Sequence, residues 1–254
     1  GLAGNLTALE QRKRYIDQDL NRTFGDEELE EIIQADEKVL NVEQKEALHI
    51  MEYIGELEPE RYINKWFIDC HTTSSESIPY FSVGDPHGSL TFAHRFPVHS
   101  VLGFSDLIPT TMDHWLRKKG FNGFTLEAGQ HDEMSSVENC EAVIFMALVN
   151  SSCISPNDLD CYRHCQQVLA KVIFEQRQIF EITYRHEIEP EHGFAMEPGF
   201  VNFQQVREGE VLAVDRYGQI KAENDARVLM PLYQAQGDDG FFLIQKRRPR
   251  DVNT

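Results

Sequence analysis

The chain is short of several things, and each shortage narrows what it can do. Positive charge is scarce: 24 lysines and arginines stand against 42 aspartates and glutamates, a formal net charge of −18, so the basic footprint that nucleic-acid phosphates require is missing. No apolar run approaches the roughly 18 residues needed to cross a bilayer. Five cysteines, an odd number in 254 residues, make a poor disulfide framework, and free thiols in a reducing cytoplasm fit them better. The opening G-L-A-G-N-L-T has neither the basic region nor the apolar core of a secretory signal. Internal repeats and low-complexity tracts are absent as well. What remains, with 41% hydrophobic and 26% charged residues, is the composition of an ordinary globular protein with one large or two smaller domains.

The pattern along the chain changes once. Helical apolar spacing covers residues 26–35 and 42–57, then the continuous apolar run K-W-F-I-D-C-H reads as a buried parallel strand followed by the polar loop T-T-S-S-E-S. I-P-Y-F-S-V-G-D is a second strand, L-T-F-A-H-R-F a short helix, and T-M-D-H-W-L-R-K-K-G a helix closing on Gly120. G-F-T-L-E-A-G-Q is a third strand, and helices follow at about 135–150 and 157–176. From about residue 178 the texture becomes short alternating strands separated by Gly, Pro and Asp turns: I-F-E-I-T-Y-R-H, G-F-V-N-F, V-L-A-V-D-R-Y-G-Q-I, R-V-L-M-P-L-Y and G-F-F-L-I-Q-K. The expectation is an α/β domain over 1–177, with a mostly parallel mixed sheet and flanking helices, and a small all-β domain over 178–254.

Two strand ends present chemistry where α/β sheets usually gather ligands, I-D-C-H at His71 and L-E-A-G at Glu127. His71 could ligate a metal, with Asp69 orienting its ring, or be an ordinary hydrogen-bonded loop residue; Glu127 could serve as general base or acid. A third feature is R-Y-I-D-Q-D-L-N-R, which sets Arg14, Asn21 and Arg22 together near the start of an acidic chain. Their forked donors could hold a carboxylate and polarise a carbonyl, or simply pair with Asp17, Asp19 and Asp26. Cys161, His164 and Cys165 have helical spacing, but no second ligand pair follows, which favours half-buried thiols over a metal site. His94, His99, His114 and His131 are scattered and read as surface or capping residues; Phe200, Phe203, Tyr217, Phe241 and Phe242 read as the core of the β-rich tail.

Taken in order, G-N-L-T-A-L with R-Y-I-D-Q-D-L-N-R-T-F-G, F-I-D-C-H-T-T-S, F-T-L-E-A-G and the tail with M-P-L-Y-Q resemble the aspartoacylase/succinylglutamate desuccinylase family, a branch of the zinc carboxypeptidase superfamily. The resemblance implies a zinc carboxypeptidase-like fold and a zinc-dependent amidohydrolase, acting on small anionic N-acyl amino acids of the N-succinylglutamate or N-acetylaspartate type. Carried over residue by residue, it implies that His71 is a zinc ligand, Glu127 the general base and Arg14 the group that polarises the scissile carbonyl. Asn21 and Arg22 would grip the substrate carboxylate, and Arg117 would be a further substrate arginine. Asp113 stands where a tyrosine is expected near Arg117, which argues against strict N-acetylaspartate specificity. No nucleic-acid or membrane partner is implied, and a homo-oligomer is compatible with the resemblance.

One part of the family pattern is missing. Its other two zinc ligands form a His-x-x-Glu motif ahead of the G-N segment, where this chain begins with Gly1, so an N-terminally incomplete fold is expected, the alternative being a true short paralogue that keeps the anion clamp without the metal. The two His-x-x-Glu matches present, His49 to Glu52 and His186 to Glu189, lie downstream of the arginine motif and read as coincidences. One histidine does not hold zinc tightly, because catalytic sites use three protein ligands, so one zinc ion is expected in a complete enzyme and weak or absent zinc in this chain. The competing readings are a carboxypeptidase-like peptidase, against which the compact β tail argues, and a non-catalytic binder of anionic metabolites.

Overall fold

Helical spacing and continuous apolar runs separate cleanly in the computed structural model, which describes residues 1–85, 87–172 and 176–247. Its N-terminal part holds α1 (Leu6–Glu10), α2 (Asp26–Gln34), α3 (Val42–Glu56), β1 (Trp66–Thr73), β2 (Tyr80–Val83), α4 (Gly88–Ala93) and β3 (His99–Leu102). Then come α5 (Phe104–Leu107), α6 (Met112–Lys118), β4 (Asn122–Gln130), α7 (Met134–Asn150) and α8 (Tyr162–Val172). The tail contains β5 (Ile179–Glu187), β6 (Ala195–Met196), β7 (Gln205–Val206), β8 (Val211–Asp215), β9 (Gly218–Lys221), β10 (Ala226–Leu229) and β11 (Asp239–Lys246). Among the described residues no helix is long and apolar enough to cross a membrane.

The chain folds as two units. The first comprises Gly1–Phe67 with Phe104–Gly123. Its helices start where their sequences allow: α2 carries Asp26, Glu27 and Glu28 in its first turn, against the positive end of the helix dipole. Helix α3 begins with a reciprocal capping box, Asn41 accepting from the Gln44 amide and the Gln44 side chain accepting from that of Asn41. The apolar faces of these helices meet Phe24, Trp115 and Leu116, and the Phe24 and Trp115 rings lie 5.8 Å apart. The Phe24 amide also donates to the Thr110 carbonyl (2.9 Å), tying the segment ahead of α2 to the one ahead of α6. Gly123 has a separate reason to be glycine, since a Cβ there would lie 2.1 Å from the Phe67 carbonyl oxygen.

Glu43 organises this unit. The side chain is shut off from solvent (0% exposed), yet it is a carboxylate, because its oxygens accept from the amides of Ile16 (2.7 Å), Asp17 (3.0 Å) and Gln18 (3.4 Å) and from Asn5 Nδ2 (3.1 Å). The turn carrying the N-terminal arginine motif is therefore pinned to the first turn of α3. Gln18 and Asp17 extend the seam: Asn41 Nδ2 donates to Gln18 Oε1 (3.2 Å), and the Val42 amide to Asp17 Oδ2 (3.1 Å).

The second unit, Ile68–Gly103 with Phe124 onwards, contains most of an eight-stranded sheet in the order β1-β4-β2-β3-β5-β11-β10-β7. It is a mixed sheet in an α/β fold: β2–β3 and β3–β5 are parallel, whereas β2–β4, β5–β11, β11–β10 and β10–β7 are antiparallel. Strands β2, β3 and most of β4 are buried along their length, so their side chains do not alternate between core and solvent. Phe81 stacks on Phe124 at 3.8 Å, with Phe92 and Phe96 around them. Strands from either side of residue 178 share this sheet, because β5 pairs with β3 on one edge and β11 on the other; β6-β8-β9 form a separate three-stranded sheet.

Some local expectations change. Strand β1 runs on through Thr72 and Thr73, which the polar composition had assigned to a loop, and G-F-V-N-F forms no strand because Phe203 adopts a left-handed backbone (φ +66°). His99 is no surface residue: it is 6% exposed on β3, where its Nδ1 accepts from the Gln178 amide (3.0 Å). The expected helix to residue 176 is seen to Val172; 173–175 lie outside the described residues.

Burial of Glu43 works to raise its carboxyl pKa, but the hydrogen bonds from Ile16, Asp17, Asn5 and Gln18 prevail and hold it below the ordinary value. A carboxyl lowered in the folded state stabilises the fold above its unfolded pKa and ceases to do so as pH falls through the folded value. Glu43→Gln is therefore expected to cost about 1–3 kcal/mol in urea unfolding at pH 7. That gap between wild type and variant should shrink as the pH is lowered below about 4.

Candidate active-site residues

In the first unit, the N-terminal motif folds as a tight turn in which Asp19 is the centre. Asp19 accepts from Arg14 Nε (3.0 Å) and Nη2 (2.8 Å) on one oxygen and from the Asn21 amide (3.0 Å) on the other. Burial acts to raise the Asp19 pKa, while Arg14 and Arg22 lower it more, so the carboxylate stays ionised and holds the guanidinium in place. Of the acidic partners anticipated, Asp19 takes Arg14; Asp17 instead receives the Val42 amide and Asp26 pairs with Lys118. Asn21 Oδ1 accepts from the Met112 amide (2.9 Å), which joins this turn to the start of α6. Arg22 donates through Nη1 to the Asn21 carbonyl (3.1 Å).

Helix α6 brings Arg117 into the same unit. Its Nε lies 3.9 Å from Asp113 Oδ2 and its Nη2 3.3 Å from His114 Nδ1. Asp113, 6% exposed, takes hydrogen bonds from Ser105 (3.2 Å) and Thr111 (2.5 Å), so it works as a structural anchor at the helix start. Burial, Arg117 and Lys118 together depress the His114 pKa, outweighing Asp113 and Asp26.

In the second unit, His71 and Glu127 sit on the neighbouring strands β1 and β4. His71 Nε2 contacts Asp69 Oδ2 at 2.9 Å, the pairing anticipated for that aspartate. Glu127 is 5% exposed and opposite Tyr80 in the β2–β4 register. Cys140 on α7 hydrogen-bonds with Cys70; that bond lowers its pKa against the effect of burial, while His71 lowers it further and Glu127 raises it. One thiol thus feels the imidazole and the carboxylate at once. Gly129, in the E-A-G triplet, has φ +141°, and a Cβ there would lie 2.6 Å from Ser136 Oγ, so the strand exit beside Glu127 requires glycine.

The segment after β1 is stitched down by residues that no sequence signal singled out. Asn202 Nδ2 donates to Ser75 Oγ (2.9 Å) and Thr73 Oγ1 (3.3 Å), while its Oδ1 accepts from the Met230 amide (2.5 Å). His131 bridges Thr72 (2.7 Å) and Gln234 (3.0 Å). Asparagine in a polar loop is too common to be read as such an anchor from composition; the signal lay only in Thr73, Ser75 and Asn202 being buried together.

Zinc finds no complete ligand set here. Among the described residues no group of three or more His, Cys, Asp or Glu side chains is placed to hold a metal ion. His71, already in contact with Asp69, does not by itself make the three-ligand environment of a catalytic zinc. Cys161, just ahead of α8, is half-buried as expected, whereas Cys165 on the helix is buried; burial first, and then Cys161, push the Cys165 thiol up to about 11. His49 is exposed on α3, 4.0 Å from Glu37, and His186 stacks on Phe241 at 5.1 Å, so neither downstream His-x-x-Glu pair is shaped as a ligand set.

The family model described as the succinylglutamate desuccinylase/aspartoacylase catalytic domain matches residues 2–150. The chain belongs to this family. Among solved structures, it is similar to a succinylglutamate desuccinylase from Chromobacterium violaceum (TM-score 0.64, 18% identity, 96% of this chain and 72% of that one). It is also similar to one from Vibrio parahaemolyticus (0.61, 14%, 97% and 70%) and to murine aminoacylase 3 (0.60, 15%, 97% and 82%). At these identities the structural likeness speaks for the fold. No curated protein matches the chain.

The Tyr80 hydroxyl supplies a test of this geometry. It is fully buried with no hydrogen-bond partner among the described residues, and burial, then Glu127, push its pKa well up. Burying an unpaired hydroxyl costs about 1–3 kcal/mol, so Tyr80→Phe is expected to leave stability unchanged or raise it by up to about 1 kcal/mol in urea unfolding.

Proposed function

We propose that this protein is a deacylase that hydrolyses the amide bond of small N-acyl amino acids of the N-succinylglutamate or N-acetylaspartate type, acting in the cytoplasm. The supporting observation is the reach of the family match: residues 2–150 include Arg14, Asn21, Arg22, His71, Arg117 and Glu127 together. In this reading Glu127 takes a proton from the attacking water and returns it to the departing amine, releasing a carboxylic acid and a free amino acid. Its burial keeps bulk water from competing for that proton. Arg14, oriented by Asp19, polarises the scissile carbonyl and stabilises the charge that develops on it. Asn21, Arg22 and Arg117 hold the substrate's carboxylate, for which forked guanidinium donors are well shaped.

Zinc belongs to the proposal as a cofactor with His71 among its ligands, and the lone imidazole leads to a separate expectation. Purified in zinc-containing buffer and desalted, the 254-residue chain should retain well under one equivalent by elemental analysis. Tight stoichiometric zinc would contradict this.

The activity itself is tested with N-succinylglutamate, N-acetylaspartate and short peptides, zinc being added. Low but measurable release of the amino acid from an N-acyl substrate is expected. Glu127→Gln should cut kcat about 10²- to 10⁴-fold with little change in KM. Arg22→Ala should raise KM roughly tenfold, the loss of one charge-assisted hydrogen bond. Faster turnover of peptides would move the assignment to a carboxypeptidase-like peptidase. A second reading, a non-catalytic binder of anionic metabolites, draws on the contact that commits His71 Nε2 to Asp69. It requires N-succinylglutamate binding that survives both chelation and Glu127→Gln, without turnover.

A further inference from the structure

Away from these residues the second unit has a pocket of about 400 Å³ lined by His94, Arg95, Phe96, Pro97, Met146, Gln166, Ala170 and Arg177. Its volume lies in the range of small-molecule sites, about 300–1,000 Å³. Its composition runs against the rest of the protein: acids outnumber bases 42 to 24 overall, yet among the described residues this lining contains two arginines and no carboxylate. Some other guanidinium groups find acidic partners, as Arg14 does in Asp19, Arg185 in Asp239 and Arg247 in Glu181. Among the described residues neither Arg95 nor Arg177 has an ion-pair partner.

Their positions are set by the backbone. Arg95 donates through Nη1 to the carbonyl of Asn150, the last residue of α7, and Asn150 Nδ2 donates back to the Arg95 carbonyl (3.2 Å). Arg177 donates through Nη1 to the His94 carbonyl and, at 3.4 Å, to that of Phe96. One nitrogen of each guanidinium is thereby used to anchor it, and the rest of the fork is the part that a planar anion can engage. The rest of the lining is different in kind: Pro97 is half-buried and Ala170 exposed, over Phe96 and Met146, which are 1% and 2% exposed. Burial, then Arg177, depress the His94 pKa.

We propose that this pocket is a second ligand site, which binds a small organic carboxylate with Arg95 and Arg177 on the carboxylate and Phe96, Pro97, Met146 and Ala170 around a short aliphatic body. Charge at the rim together with the apolar carbons of Pro97 and Ala170 selects an amphipathic anion over an inorganic one: phosphate would use the first and leave the second in contact with water. The site is independent of the deacylase chemistry, since none of its lining residues belongs to that set.

The test is titration of the 254-residue chain with hexanoate, followed by the methyl resonances of ¹³C-methyl-methionine protein. A saturable shift is expected at Met146, with Met51 and Met112, in the first unit, unmoved. The double variant Arg95→Gln, Arg177→Gln should weaken binding at least roughly tenfold, and Arg163→Gln, elsewhere on α8, should leave it unchanged. Because Arg177 also anchors carbonyls, the double lysine variant serves beside it. It keeps the charge while losing the fork, and intermediate affinity is expected at a thermal midpoint close to wild type. An absence of saturation at Met146, equal affinity in wild type and both double variants, or displacement of hexanoate by inorganic phosphate at equal concentration would each overturn the proposal.

Discussion

The carboxylate of Glu43 is the constraint on which the first unit depends. A buried charge is tolerable only when its lone pairs are met, and here three consecutive main-chain amides and one side-chain amide meet them. The consequence reaches well beyond local stability. Ile16, Asp17 and Gln18 are the middle of the arginine motif, so fixing their amides fixes the turn in which Asp19 orients Arg14 and caps Asn21. From there Asn21 passes the constraint to the start of α6, and Asp113 anchors the helix that carries Arg117. Four of the six residues assigned to the deacylase chemistry are thus placed by one network of charge-assisted hydrogen bonds.

The second unit obtains its rigidity differently, from a continuous aromatic and aliphatic core. Strands β2 and β4 are registered so that Tyr80 faces Glu127, and the stacked Phe81 and Phe124 one residue or more away leave no room for slippage. Gly129 then turns the chain out of β4 with a backbone conformation that a side chain would resist. A carboxylate held in so dense a setting is well suited to acid–base chemistry, because it cannot swing to solvent. The hydrogen-bonded segment after β1 has the same effect on the strand that bears His71, through Asn202 and His131.

Charge is distributed unevenly. The acids gather on exposed helix faces such as that of α2, where they complement the helix start. Cationic side chains that matter are held locally, against this background, by main-chain carbonyls or by a dedicated aspartate. Arg14 illustrates the second arrangement and Arg177 the first. In a chain of net charge −18, such local placement is the way an anionic ligand can be attracted at all.

By itself the sequence determined the elements with strong periodicity or long apolar runs, α2, α3, α6, α7, β2, β4, β5 and β11, because burial of a periodic face depends on order along the chain and little else. It also determined the motif residues and, through them, the family. It left unread the short strands β3, β6 and β7, the burial of His99 and the extension of β1 through two threonines, since each of these depends on a partner far away in sequence. Tertiary structure alone decided that Asp19, rather than Asp17 or Asp26, would take Arg14, that Glu43 would sit beneath that turn, and that Arg95 and Arg177 would line one pocket. The physical reason is common to all three: which charge meets which is settled by folded-state distances and burial, and residue order carries neither.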